Sequence, residues 1–336
     1  MEKYMQFGLS LAARGAGAVA PNPMVGALVV AEGRIIGEGW HQQFGGAHAE
    51  VNALNAVKPE DLFLLPNATL FVTLEPCNHF GKTPPCTEKI ISSGIKKVVI
   101  GSLDPNPLVA GKGVERLKEN GIAVTTHVLE NKCRELNKYF FCYHEKKRPY
   151  ITLKWAQSAD GFIAGEGGKP IHFTNAACDQ IVHKLRAENM SILIGGNTVI
   201  TDNPRLTTRL WPGKNPIRII IDTKNNLPSD AHIFNDEAPI VIFNLLENKT
   251  VNQHTYIQIP STNYLPELLT HLHHLQINSV LVEGGTKTLQ QFIDARLYDE
   301  IIYFESKQPV QKGFKGPVVE GGFTTTELDG VWVHAE

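Results

Sequence analysis

Apolar residues along this chain fall into two patterns: short uninterrupted runs of strand length, and stretches spaced three and four apart as on one face of a helix. Tyr4 to about Arg14 has the helical spacing and is closed by glycines. Val25–Val30 is a buried-strand run, and Gly33–Gly39 holds a turn leading into a second strand around Ile35–Gly37. Ala49–Val57 reads as helix, Thr69–Leu74 as strand, Thr87–Ser93 as helix and Val98–Ile100 as strand. Gly113–Asn120 then reads as helix and Ala123–Thr126 as strand. This βαβαβ rhythm predicts a largely parallel sheet with helices on both faces.

From Lys132 to Pro149 the pattern becomes a polar and aromatic helix ending in charges and a proline, the best candidate linker. After it the α/β pattern restarts with ITLKWA, a helix over Cys178–Arg186, SILIG, IRIIID and PIVIF. A helix over Leu265–Leu275, the strand SVLVEGG, a helix over Thr288–Ala295 and the strand EIIYF complete it. The second half is thus a further α/β domain, and the expected division is 1–146 and 147–336. No period of 20–50 residues recurs, which excludes a repeat architecture.

Length agrees, since 336 residues at roughly 150 per domain suggest two domains. With 32 Lys+Arg against 34 Asp+Glu, bulk charge gives no hold on a polyanion, so no nucleic-acid partner is expected. No apolar run reaches the 18 or more residues that a spanning helix needs, so no membrane partner is expected either. The N-terminal apolar stretch is short, broken by Gly8 and Ser10 and followed by Arg14, which favours an amphipathic helix over a signal peptide. Five cysteines are an odd count for a disulfide framework and point to the reducing cytoplasm.

The chemistry concentrates in two segments, HAE at His48–Glu50 and PCNHFGKTPPC at Pro76–Cys86. His48, Cys77 and Cys86 supply one imidazole and two thiolates, the donor set that suits tetrahedral zinc. Three protein ligands leave a fourth position for water. Glu50, two residues after His48 at a helix start, is placed to move protons at that water without being a ligand. Two blander readings stand beside this one: a structural zinc with His79 or His41 as fourth ligand, and core cysteines with no metal. Cys133, Cys142 and Cys178 lack partners at ligand spacing and read as structural. His271, His273 and His274 read as the solvated face of a leucine-bearing helix.

H-x-E followed by P-C-x-x-C marks the cytidine-deaminase-like superfamily, which the first half resembles. In that superfamily a metal-activated water attacks an amino-bearing ring carbon and ammonia leaves. Here eight residues separate Cys77 from Cys86, where most members have two. That longer spacing matches one branch. PNPMVGA at Pro21–Ala27, HAE, EPCNHFGKTPPC and DPNPLVAGKG at Asp104–Gly113 resemble the deaminase half of the bifunctional riboflavin-biosynthesis deaminase–reductases. The resemblance implies that Asn22, His41, His79, Lys82 and Asn106 contact a phosphoribosylamino-pyrimidine.

No G-x-G-x-x-G follows a strand in the second half. Its glycine-rich candidate is VEGGTKTL at Val282–Leu289, a strand, paired glycines and a helix start, an arrangement that suits a phosphate. Taken alone, such a turn is often only a turn. RPYITLKWAQSADG, LRAENMSILIGGNTVITDNPRLTTR and VEGGTKTL, in that order, resemble the reductase half of the same family. The resemblance implies a dihydrofolate-reductase-like fold that binds NADPH. Ala156, His172, Thr198, Asp202, Thr223 and Gly285 to about Gln291 (Thr286, Lys287, Thr288 and Leu289 among them) would face the cofactor. Pro170, Arg186, Leu206, Arg209 and Glu283 would face the substrate.

Arg205 and Arg209, four apart in one loop, suit a dianionic phosphate. Lys154 and Asp202 are candidates for moving protons as the sugar opens before hydride reaches C1′; the alternative is a plain salt bridge between them. Pro170 and His172-Phe173-Thr174 depart from the family, which has a small polar residue and Trp-Ile-Ser/Thr there.

The expectation is therefore an α/β protein of two domains. A cytidine-deaminase-like three-layer domain would carry out zinc-dependent deamination, and a dihydrofolate-reductase-like domain NADPH-dependent reduction. Together they would act on a phosphorylated pyrimidine in a homo-oligomer. The other readings are a nucleic-acid base deaminase with an appended domain, and a catalytically silent zinc- and nucleotide-binding regulator.

Overall fold

The computed structural model describes residues 1–79, 84–107, 109–235 and 237–336. It divides into two compact units, Met1–Lys146 and Lys147–Glu336. Among the described residues no helix is long and apolar enough to cross a membrane.

The first unit runs α1 (Glu2–Ala12), β1 (Gly26–Ala31), β2 (Arg34–Trp40), α2 (Ala49–Asn55), β3 (Thr69–Leu74), α3 (Cys86–Ser92), β4 (Lys97–Ser102), α4 (Lys112–Glu119) and β5 (Ala123–Thr125). Two further helices, α5 (Glu130–Leu136) and α6 (Lys138–Lys146), close it. The sheet order is β2-β1-β3-β4-β5. Every position of β1 is buried, as expected of a strand covered on both faces. Ala27, Val29 and Ala31 pack with α2, α3 and α4 residues, while Leu28 and Val30 pack with Met5 and Leu9 of α1 and Cys133 of α5. The period of two thus sorts one strand's side chains into two helical layers.

The sheet is less parallel than the βαβαβ rhythm predicts. β1 pairs antiparallel with both β2 and β3, and only β3–β4 and β4–β5 are parallel. The cause is local. Glu32 and Gly33 both take positive φ (51° and 78°), giving a two-residue turn that can join only antiparallel strands.

The expected linker is also corrected. Lys132–Pro149 holds not one helix but α5 and α6, whose Cys133, Phe140, Phe141 and Cys142 are buried. An aromatic run with a buried face is part of a core, and the division falls at its charged end, between Lys146 and Lys147.

The second unit comprises β6 (Tyr150–Gln157), β7 (Phe162–Gly165), α7 (Ala176–Glu188), β8 (Ser191–Gly195), α8 (Gly196–Asp202), β9 (Ile217–Ile221), β10 (Ile240–Asn244), β11 (Lys249–Val251) and β12 (His254–Gln258). It continues with α9 (Tyr264–His274), β13 (Ser279–Gly284), α10 (Thr286–Asp294), β14 (Glu300–Ser306), β15 (Gly313–Lys315), β16 (Thr324–Leu328) and β17 (Val331–Ala335). Ten strands form one sheet in the order β11-β12-β10-β9-β8-β13-β6-β14-β17-β16, and β15 pairs with β7 apart from it. From β12 to β14 every pairing is parallel. Leu193 of β8 packs with α9 and α10 residues, and Ile192 and Ile194 pack on the other face with Val199 of α8.

The chain lays β6, β8, β9, β10 and β12 outward in sequence order, with β13 inserted between β8 and β6. Strand order reverses there, and crevices outside the carboxyl ends of parallel strands at such a point are where ligands bind.

Candidate functional site

In the first unit α2 sits almost directly on the backbone of β2. A Cβ on Gly37 would come within 2.3 Å of the Ala53 carbonyl oxygen, and one on Gly39 within 2.4 Å of the Ala53 nitrogen. Glycine at both positions lets the helix approach, and this sets where its first turn begins. His48 is the N-cap of α2 and Glu50 lies in its first turn, buried. Cys77 follows β3 and Cys86 opens α3, so three elements converge.

His48 Nδ1 lies 3.2 Å from Cys86 Sγ and 3.6 Å from Cys77 Sγ, and all three donor atoms fall within 4.8 Å of one another. Tetrahedral zinc, with bonds of about 2.0–2.1 Å to nitrogen and about 2.3 Å to sulfur, puts these atoms roughly 3.5 Å apart, so the donor set fits that ion. Charge points the same way. A hydrogen bond from the Cys86 thiol, aided by His48, draws the Cys77 thiol well below its ordinary value, and the resulting thiolate with burial drives Cys86 far up. Two bare thiolates side by side repel one another, and a divalent cation between them would offset that repulsion. Glu50 is pushed up to about 7 by burial and then by the Cys77 charge, with His48 opposing.

His48 and Cys77 line a cavity of about 290 Å³. Asn22, His41, His79 and Asn106, which the family resemblance assigns to the substrate, all line it. Lys82, implied with them, lies outside the described residues. His41 Nδ1 meets the Ala47 carbonyl at 3.0 Å and must carry its proton there, so Nε2 accepts from Asn22 Nδ2 at 3.2 Å. Burial lowers the His41 pKa, which keeps the ring neutral. His41 is therefore occupied as the partner of Asn22, which disfavours it as a fourth metal ligand.

Sequence reasoning gave no role to Glu75. This buried carboxylate accepts backbone N–H bonds from Asp104 (3.2 Å), Gly111 (3.0 Å), Gly113 (3.0 Å) and Val114 (3.2 Å). It holds the loop bearing Asn106 and the start of α4 against the cavity. Asp104, also lining it, is pushed up to about 7 chiefly by burial. The DPNP segment was a visible signal, but the carboxylate that organises it is separated from it by β4.

In the second unit the implied cofactor residues gather at the carboxyl ends of the central strands: Ala156 at β6, Thr198 beyond β8, Thr223 beyond β9, and Gly285 to Leu289 beyond β13. A Cβ on Gly195 would stand 2.9 Å from Thr288 Oγ1, and one on Gly285 3.1 Å from Thr198 Oγ1, so the turns after β8 and β13 pack against one another. Gly284 has φ 129°, a left-handed conformation that favours glycine, and a Cβ there meets nothing within 4 Å. Open space thus adjoins a glycine turn at a helix start, a setting that fits a nucleotide phosphate. Lys287 is exposed in the first turn of α10.

Beside this turn Glu283 takes a two-pronged bond from Arg186, at 2.8 and 2.7 Å, and lies 3.8 Å from Lys154 Nζ. Burial would raise the Glu283 pKa, but Arg186 and Lys154 together hold it down to about 2. Lys154 therefore pairs with Glu283 and not with Asp202, which is exposed in the last turn of α8; the Lys154–Asp202 salt bridge is corrected. Thr207 receives Arg186 on its carbonyl (3.2 Å) and Arg209 on its hydroxyl (2.7 Å).

The remaining residues are less gathered. Leu206 turns its side chain into the core, with φ 56°, and so does not present it to solvent. Arg205 and Pro170 are exposed. His172 is exposed with Nε2 3.4 Å from Thr174 Oγ1, while Phe173, the middle residue of the departing segment, is buried. Among the described residues only His48, Cys77 and Cys86 form a metal-capable group, so His271, His273 and His274 remain a helix face.

Two family models match separate parts of the chain. Residues 1–102 match the cytidine and deoxycytidylate deaminase zinc-binding region, and residues 149–308 match the RibD C-terminal domain. The molecule is thus a deaminase joined to a reductase. Riboflavin biosynthesis protein RibD of Aquifex aeolicus is 44% identical over 318 residues, 93% of this chain and 88% of that protein. That of Bacillus amyloliquefaciens is 42% identical over 313 residues, 90% and 83% of the two chains. The crystal structure of a diaminohydroxyphosphoribosylaminopyrimidine deaminase/5-amino-6-(5-phosphoribosylamino)uracil reductase from Thermotoga maritima superposes with a TM-score of 0.90 at 39% identity, covering 99% of this chain and 97% of that one. The chain belongs to the RibD family of bifunctional riboflavin-biosynthesis enzymes.

Proposed function

We propose that residues 1–146 hydrolytically deaminate 2,5-diamino-6-ribosylamino-4(3H)-pyrimidinone 5′-phosphate, and that residues 147–336 reduce the resulting 5-amino-6-(5-phosphoribosylamino)uracil with NADPH. The observation that carries this reading is the grouping of His48, Cys77 and Cys86, with His48, Cys77 and buried Glu50 lining one cavity. His48, Cys77 and Cys86 would hold zinc, which would supply Lewis acidity toward a bound water.

The chain's own groups do the rest. Glu50 takes the proton of the attacking water and returns it to the departing ammonia. Buried in the first turn of α2, two residues after His48, it lines the same cavity as His48 and Cys77 without being one of the three donors. Asn22 holds the pyrimidine's polar edge with its other face fixed by neutral His41. Asn106, set by Glu75, meets the remainder of the substrate together with His79 and Lys82.

In the second unit the turns after β8 and β13, with Thr198, Thr223 and Gly285 to Leu289, would hold the nicotinamide cofactor, which would supply hydride. Arg209, with Arg205 near it in sequence, receives the substrate phosphate. Lys154, held beside Glu283 and lowered in pKa chiefly by burial, is the proton donor as the ribosylamine opens. Asp202, at the end of α8, would contact the cofactor.

The separated span 147–336 tests the division. It should reduce the deaminated uracil compound with NADPH preferred to NADH and leave the diamino compound's ring amino group in place. Deamination by that span alone would refute the assignment.

A further inference from the structure

His183 lies on α7 three residues before Arg186, so both side chains leave the same face of the helix. It is 5% exposed. The backbone N–H of Arg209 donates to His183 Nδ1 at 3.0 Å. A backbone N–H can only donate, so Nδ1 must be unprotonated, and the ring is the neutral tautomer carrying its proton on Nε2. Arg186 meanwhile donates to the Thr207 carbonyl at 3.2 Å. Two side chains of one helix face therefore grip Thr207 and Arg209, two residues apart in the same segment. Arg209 adds an internal bond to the Thr207 hydroxyl.

We infer that His183 is a positioning residue of the reductase: its neutral ring latches the Thr207–Arg209 segment in the conformation that receives the phosphorylated substrate, and its protonation releases it. The inference rests on the proposed reading of Arg209 as a phosphate-binding residue. The mechanism is one of donors and acceptors. A second proton on the ring would set N–H against N–H and leave a backbone donor without its acceptor in a nearly closed site.

The charges around the ring make the latch hold near neutral pH. Arg186 on the same helix and Arg209 on the latched segment disfavour a charged imidazole, and Glu283 on β13 and Asp179 on α7 favour one. Glu283 is itself taken up by Arg186 and Lys154. Burial, the largest influence, joins the arginines in holding His183 below its ordinary value. The sign follows. The latch is closed above that lowered pKa and opens as pH falls through it, so acid should raise KM more than it lowers kcat. The substrate phosphate titrates near pH 6 as well, but it does so equally for every variant.

The test uses the full chain with His183→Leu, which removes the acceptor, and His183→Asn, whose side-chain oxygen can take the N–H without titrating. Two quantities are read across pH 5 to 8: the hydrogen-exchange protection factor of the Arg209 amide, and kcat and KM for the phosphoribosylamino-uracil. His183→Leu should lose Arg209 protection and raise KM by about tenfold with a smaller change in kcat, the cost of roughly one hydrogen bond. His183→Asn should restore most of both and abolish the acid loss of protection that the unaltered chain shows. Arg209 protection unchanged in His183→Leu, or an acid loss in His183→Asn matching the unaltered chain, overturns the latch. Protection lost with KM unmoved upholds the latch and overturns the assignment of this segment to the substrate. Should His183→Leu not fold, the pH profile of His183→Asn alone decides.

Discussion

Arg186 Nη2 lies 2.7 Å from Glu283 Oε2 while Arg186 Nε lies 2.8 Å from Oε1, a two-pronged pair joining α7 to β13 with Lys154 of β6 on its open side. Removing one partner of such a buried pair leaves the others charged and unsatisfied, at a cost of about 3–5 kcal/mol. The Glu283 pKa is lowered to about 2 in the folded chain against an ordinary value of 4.5. Its stabilisation is therefore complete above the unfolded value and drains away as pH falls toward the folded one. Glu283→Gln should open more readily than the unaltered chain at pH 7, and the gap should narrow once pH drops below 4.5. Hydrogen exchange of β6, α7 and β13 peptides measures it, and a gap constant across that range would contradict the pairing.

Glu50→Gln keeps the shape of the side chain and all three donor atoms of His48, Cys77 and Cys86. Zinc content should stay near one per chain, while deamination falls by at least about 10²-fold, the lower range for a lost general acid–base. Reduction of the already deaminated compound should be unaffected. Near-normal deamination would remove Glu50 from the chemistry.

Cys86→Ser replaces a thiolate with a hydroxyl, a poor ligand for a borderline-soft cation. Metal analysis should show a marked loss of zinc, with reduction of the deaminated compound continuing. One zinc retained per chain would mean that Cys86 is not a ligand, and His79 would be the next residue to examine.

The deaminase chemistry was legible because it is local: His48 and Glu50 share one helical turn, and Cys77 and Cys86 share one loop-to-helix segment. Strands β1, β3 and β8 were legible because they are buried on both faces and read as apolar runs. Strands β11, β15 and β16 were not, since KTV, GFK and TTTEL are largely exposed and carry no burial pattern. Glu75 was hidden for another reason. Its partners are backbone N–H groups at least 29 residues away, and a backbone donor leaves no mark on residue type. The same holds for His183. The Lys154–Glu283–Arg186 cluster joins three elements that only the insertion of β13 beside β6 and β8 makes neighbours.

That cluster separates Lys154 from Asp202 experimentally. Asp202 is exposed and Lys154 is engaged with Glu283. Asp202→Asn should therefore raise KM for NADPH with kcat within about threefold, whereas Lys154→Met should lower kcat by about 10²-fold or more with NADPH still bound. Collapse of turnover in Asp202→Asn with cofactor affinity intact would return the proton-transfer role to Asp202.

The most direct measurement is mass spectrometry of the products formed by the zinc-loaded full chain from the diamino ribosylamino-pyrimidinone phosphate. Without NADPH the product should be one dalton heavier, an amino group exchanged for oxygen, with ammonia released. With NADPH it should gain two further daltons as the ribosyl group becomes ribityl. A compound returned unchanged, or one reduced while its ring amino group is retained, would contradict the assignment of deamination to His48, Glu50, Cys77 and Cys86.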